Sequence, residues 1–187
     1  GALSGGSQYR KASFLLDARG QPVFPNWMQI TEQPLLKRGP GSAAYDDEGV
    51  AACTDPLVVD GVIQRYVLGS YSARKLGLPT TGNAGGVHNL VVTGGGMGFD
   101  AMLDALGTGL LLTEVMGQGV NIVTGDYSRG AAGFWVQSGK IAFPVEEVTV
   151  AGNLREMLMG IRAVGSDVDP RSHILVGSIR SEERRVG

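Results

Sequence analysis

Glycine punctuation constrains this chain more than any other feature. Thirty of its 187 residues are Gly, about twice the usual share. They follow no G-X-Y period, which excludes a collagen-type helix. They break the sequence into short apolar runs joined by tight turns, the pattern of a strand-rich fold. Two breaks carry hairpin chemistry. In "PLVVDGVIQRYVL" (Pro56 to Leu68), β-branched flanks meet at Asp60-Gly61, a pair that suits a type I′ turn because both central residues need φ > 0. In the other, Phe134-Trp135-Val136 runs to Ser138-Gly139 and returns as Lys140 to Val145. A third hairpin is predicted where Phe14-Leu15-Leu16 and Pro22-Val23-Phe24 flank Asp17-Ala18-Arg19-Gly20.

The Pro-rich stretch holding Pro22, Pro25, Pro34 and Pro40 is predicted not to be a central strand. "VHNLVV" reads as a strand inside an extended, Gly-rich region from Gly77 to Gly98, and Leu110 to Val115 as a buried strand. Phe99 to Leu106 reads as a short helix, with Met102, Leu103 and Leu106 on one face and Gly107 as its stop. Asn153-Leu154-Arg155-Glu156 resembles a capping box. It opens a second helix in which Leu154, Met157, Leu158 and Ile161 share a face, ending near Gly165. Met157 and Met159 read as core filler. The expectation is one α+β domain, β-rich, built mainly from antiparallel short strands and hairpins with two short helices.

Net charge is −2, so no electrostatic case for nucleic acid arises. No apolar run reaches the ~18 residues of a membrane span. One cysteine, Cys53, precludes an internal disulfide, and a reducing, cytoplasmic setting is the simplest fit. The chain opens without Met at Gly1-Ala2-Leu3-Ser4, which reads as a cut inside a larger protein. Five of the eight residues from Arg180 to Gly187 are charged, a break from the apolar run before them. This tail resembles the translation of a common sequencing adapter, so residues 180–187 are expected to be non-native and 1–179 to be the domain.

Catalytic motifs are sparse. A zinc hydrolase needs two His on one helical face, a third ligand and a Glu that activates water. Here the two histidines, His88 and His173, lie far apart and in no such motif. Ser128, His88 and Asp126 would supply a triad's residue types, but no nucleophile-elbow sequence accompanies them. Gly94-Gly95-Gly96 lacks the spacing and the Lys of a phosphate loop. Gly125 to Gly133 is a polar, Gly-rich segment ahead of a strand, a place where binding residues tend to sit. On loop chemistry alone, a tight connection needing small residues is the simpler account.

"MGQGVNIVTGDYSRGAAGFWVQSGKIAFPVEEVTVAGNL" (Met116 to Leu154) resembles the C-terminal domain of the TldD/PmbA family, and within it the PmbA (TldE) branch. The resemblance continues through "GSQYRKASFLLD", "DDEGV", "SYSARKLGLPTTGNAGGVHN" and "VGSDVDPRSHILVGS" in the same order. In TldD-type members an HExxxH helix supplies two zinc ligands, and it would lie at or just before Gly1. A Cys near the C-terminus supplies another, and the matching position here is about Val176. The resemblance therefore implies a PmbA-type subunit with no catalytic or metal-binding residues and no cofactor of its own. Zinc is expected in a TldD-type partner, the two forming a heterodimer that cleaves unfolded peptides. A peptide would be held by backbone pairing along Thr80 to Asn89 and Gly125 to Gly133. Tyr71, Ser72, Arg74, His88, Asn89, Asp126, Tyr127, Ser128 and Arg129 would supply the contacts. Arg74 or Arg129 could meet a substrate carboxylate, or Asp126 in a structural pair. The alternatives are a peptide-binding or regulatory module without proteolysis, and a Ser hydrolase acting through Ser128.

Overall fold

The computed structural model describes residues 1–182. Four helices, α1 (Gly5–Tyr9), α2 (Ser70–Leu76), α3 (Phe99–Leu106) and α4 (Leu154–Met159), sit among ten strands. The strands are β1 (Gln29–Glu32), β2 (Asp55–Val59), β3 (Val62–Ile63), β4 (Leu90–Thr93), β5 (Gly109–Met116), β6 (Asp126–Gln137), β7 (Lys140–Asn153), β8 (Ile161–Val164), β9 (Ile174–Leu175) and β10 (Ile179–Ser181). They form a five-stranded sheet in the order β3-β2-β1-β4-β9, a three-stranded sheet β5-β6-β7 and a pair β8-β10. β4 and β9 run parallel, and the other named pairs are antiparallel. The predicted β-rich α+β class is thus the class observed.

Both hairpin turns are realised. Asp60 and Gly61 take φ 50 and 76 between β2 and β3, and Ser138 and Gly139 take φ 51 and 73 between β6 and β7. Helix α3 keeps its predicted bounds and ends at Gly107. Asn153 caps α4, its side chain accepting from the Arg155 N–H.

Several expectations are corrected. Helices number four among the described residues, not two, because α1 and α2 hide among glycines and serines. Strands β6 and β7 are 12 and 14 residues long, not short. The segment Gly125 to Gly133 is mostly strand, since β6 begins at Asp126. Its Gly133 lets β5 approach so closely that a side chain there would meet the Leu111 carbonyl. The Phe14 to Phe24 hairpin does not form, and Pro22 instead bridges to Val62. The Pro-rich stretch does contain a central strand: β1 lies between Pro25 and Pro34 and pairs on both edges, with β2 and with β4. The second helix stops at Met159, and Ile161 starts β8. Strand β5 is half-buried at its start and exposed over its last four residues.

The core lies mainly against the five-stranded sheet. Leu15, Ala18, Val23, Val58 and Ile63 make one cluster. Met28, Ile161 and Val164 make another, with Val176 packed on it, and Tyr66, Leu68 and Ala73 a third beneath α2. The three-stranded sheet is barer, with Val115, Met116, Ile141 and Phe143 all exposed. No helix among the described residues is long and apolar enough to cross a membrane, which says nothing about strands. Of the charged tail, Arg180 and Ser181 pair with β8 in β10. Glu182 follows, its N–H donating to the Gly160 carbonyl, and residues 183–187 lie outside the described residues.

Candidate functional site

A buried carboxylate fixes the Gly-rich segment before β4. Glu32, at the end of β1, is 2% exposed. Its Oε1 accepts from the His88 N–H at 2.7 Å and from Asn83 Nδ2 at 2.8 Å, and lies 3.0 Å from His88 Nδ1. An ionised carboxylate only accepts, so Nδ1 carries the imidazole proton. Oε2 takes Arg65 Nη2 at 2.6 Å, and Arg65 Nε lies 2.8 Å from Asp55. Asn89, fully buried, donates to the Gln33 carbonyl and Ser42 Oγ and accepts from the Gly41 N–H. The Asn89 amide is thus used inside the fold, and His88 commits its backbone N–H and Nδ1 to Glu32.

The acidic loop Asp46-Asp47-Glu48 ties that segment to α2. Asp46 accepts from the N–H groups of Glu48, Val50 and Ala84. Glu48 Oε2 accepts from the Ser70 N–H at 2.7 Å and so caps a helix whose N-cap, Gly69, has no side chain to do it. Burial pushes the Glu32 carboxyl up, but bonds from the His88 N–H, Arg65 and the His88 ring outweigh it and hold it below its usual value. Desolvation is likewise outweighed at Asp46, by the Ala84, Val50 and Glu48 amides, and that carboxyl is lowered too. Groups lowered in the fold stabilise it fully above the ordinary carboxylate range and lose that contribution as pH falls through their folded values. The urea midpoint is thus expected to be level from neutral pH down to about 5 and to fall below about 4. A midpoint that held constant or rose on acidification would overturn this assignment.

The remaining predicted residues lie on α2 and at the start of β6, and both elements adjoin residues 5–14. On α2, Ser72 faces α1, where a Cβ on Gly5 would collide with it, and its hydroxyl donates to the Gly69 carbonyl. Tyr71 and Arg74 are exposed. The start of β6 reaches the same hub from another side. The Phe14 N–H donates to the Ile122 carbonyl, Arg155 Nη2 donates to the Phe14 carbonyl, and Gly125 lies against the Phe14 ring. Asp126 is engaged by Thr124 Oγ1 at 2.6 Å and Asn153 Nδ2 at 3.4 Å. Asp126, Tyr127 and Ser128, with Gln118 to Asn121, line an open depression of about 520 Å³. Arg129 Nε donates to the Met116 carbonyl at 3.4 Å. Neither Arg74 nor Arg129 forms an ion pair with Asp126.

These residues do not fit a zinc site. His88 is committed to Glu32, His173 is exposed on the approach to β9, and Val176 is apolar, half-buried and packed against the Met28 cluster. No three His, Cys, Asp or Glu side chains come together to hold a metal among the described residues. Nor does a triad assemble, since His88 is buried on Glu32 while Asp126 bonds Thr124 and Asn153. Of the residues that organise the site, Asp46 and Asn83 fall within blocks that carry the family resemblance but were not singled out, and Glu32 and Arg65 fall in none. The one local signal was Asp46, in an Asx-turn arrangement with Glu48.

The whole chain, residues 1–187, matches the PmbA/TldA metallopeptidase C-terminal domain. It is 50% identical to the metalloprotease PmbA of Escherichia coli O157:H7, over 100% of this chain and 41% of that protein. It is 51% identical to a metalloprotease PmbA homologue of Haemophilus influenzae, over 99% of this chain and 41% of the relative. A crystal structure from Bacteroides thetaiotaomicron, described as a candidate modulator of DNA gyrase, superposes with TM-score 0.87 at 31% identity, over 95% of this chain and 41% of that one. The chain thus spans about 41% of the length of the curated relatives it matches.

Proposed function

Since the chain belongs to the PmbA/TldD metallopeptidase family, we propose that it is the C-terminal domain of a subunit that holds unfolded peptide but does not carry the zinc. The observation that carries this reading is the donor set. The position the family resemblance assigns to a third ligand is Val176, seated against Met28, Ile161 and Val164. An apolar side chain offers zinc nothing. Zinc and its activated water would come from a TldD-type subunit in a cytoplasmic heterodimer. The exposed apolar side chains of the three-stranded sheet, Val115, Met116, Ile141 and Phe143, are the kind of surface that a partner or the rest of the polypeptide covers. Peptide contacts fall to the groups left accessible: Tyr71 and Arg74 on α2, and Tyr127, Ser128 and Arg129 beside the depression at the head of β6. Asp126 lines the same depression, while His88 and Asn89 support the surface from behind.

The test is a reconstitution. The chain alone is expected to hold substoichiometric zinc by atomic absorption and to leave an unfolded reporter peptide intact. Cleavage is expected once a zinc-loaded TldD-type subunit is added. Stoichiometric zinc in the chain alone would sink the reading. Peptide binding without cleavage in that pairing would instead favour a non-proteolytic module.

A further inference from the structure

We propose that the row Arg10, Tyr9, Tyr71, Lys75, exposed except for the half-buried Tyr9, is a docking strip for acidic peptide, which gives the peptide-binding reading above, on which it rests, a preferred substrate charge. The row runs across α1 and α2. The Arg10 guanidinium carbon lies 5.6 Å from the Tyr9 ring centroid. The Tyr9 and Tyr71 rings meet edge to face at 5.8 Å and 81°. Lys75 Nζ lies 5.7 Å from the Tyr71 centroid. The two helices cannot slide apart freely, because Gly5 packs backbone against Ser72 and Leu68 with no room for a Cβ. Two cations and two rings are thus held in one order on a fixed base.

The charge on this strip is unanswered. Arg65, Arg162, Arg171 and Arg180 each have a carboxylate within ion-pair reach. Arg10 and Lys75 have none among the described residues, and both are exposed, as is Tyr71 at 53%. Arg74, on the same helix, is electrostatically coupled to Glu48 and does not belong to the row. A cation over a ring face is partly desolvated on that side and keeps its remaining donors for another acceptor. Carboxylates from an extended segment answer both ends, and its backbone lies across the rings between them. A nucleic acid is a poorer match. Two cations neutralise too few phosphates to bind a polyanion well, and the chain carries net −2.

Fluorescence anisotropy with labelled peptides of equal length tests this: alternating Glu-Gly, Ser-Gly and Lys-Gly. The Glu-Gly peptide is expected to bind tightest. The double variant Arg10→Glu/Lys75→Glu should weaken its binding roughly tenfold and leave Ser-Gly binding unchanged. The milder Arg10→Gln/Lys75→Gln should give a smaller loss in the same direction, and circular dichroism confirms that each variant is folded. Equal binding of Glu-Gly and Ser-Gly peptides, unmoved by either variant, overturns the strip while leaving peptide binding intact. Absence of binding by all three peptides overturns both readings. An oligothymidylate probe that outcompetes the Glu-Gly peptide overturns the strip in favour of nucleic acid.

Discussion

Glu32→Gln is expected to destabilise the fold by about 3 kcal/mol, because it removes one partner from a buried ion pair. For a chain of this size that lowers the thermal midpoint by roughly 10 °C. The amide nitrogen of Gln would face the Arg65 guanidinium, donor against donor, where Oε2 now accepts at 2.6 Å. Arg65 would keep Asp55, but that carboxylate is 51% exposed and cannot replace a buried one. The remaining amide oxygen would have to satisfy the His88 N–H, the His88 ring and Asn83 without a negative charge. Hydrogen exchange should therefore accelerate at the His88 amide as well. Arg162→Ala is the control. Its pair with Glu182 is exposed on both sides, so its loss should cost under about 1 kcal/mol. Equal shifts in the two variants would show that the Glu32 network does not hold the segment. The acid-dependent loss of stability should also shrink in Glu32→Gln, since the lowered carboxyl is gone.

Features decided by neighbouring residues were legible in the sequence. The φ > 0 demand of a two-residue turn picked out Asp60-Gly61, the break between apolar runs picked out Ser138-Gly139, and Gly107 marked the end of α3. Features decided across the chain were not. Glycine argues against a strand locally, yet β6 runs through Gly130 and Gly133 because β5 lies too close for a larger residue at Gly133. Prolines at 25 and 34 argued against a central strand, but the eight residues between them all carry a backbone N–H, and four of those form β1. The face shared by Leu154, Met157, Leu158 and Ile161 suggested a helix continuing past Gly160. Ile161 instead serves β8 in the Met28 cluster. The candidate site divides the same way. Its exposed aromatic and cationic residues could be named from their types, whereas the burial of His88 depends on Glu32, 56 positions away.

Gly61→Ala should be strongly damaging, at about 4 kcal/mol from left-handed strain and collision together. Gly49→Ala isolates the two causes. Gly61 and Gly49 have φ of 76 and 77, so an alanine pays the same backbone penalty at each, about 1 kcal/mol. At Gly49 the added methyl meets open space. At Gly61 it falls on the Phe24 and Pro25 carbonyl oxygens. Those oxygens cannot easily retreat. The Gly61 N–H donates to the Met28 carbonyl, and its own carbonyl accepts from the Val23 and Phe24 N–H groups. Thermal midpoints for the two variants should thus differ by roughly 10 °C, with Gly61→Ala the lower. Matching midpoints would mean that backbone conformation alone decides, and that the contact between the turn and residues 24–25 is slack. The consequence reaches the site, since Gln29 Nε2 donates to Asp60 Oδ1 at 2.6 Å and links the turn to β1. Loosening β1 shifts Glu32 at its far end, so peptide contacts that depend on the Gly-rich segment should weaken in Gly61→Ala and persist in Gly49→Ala.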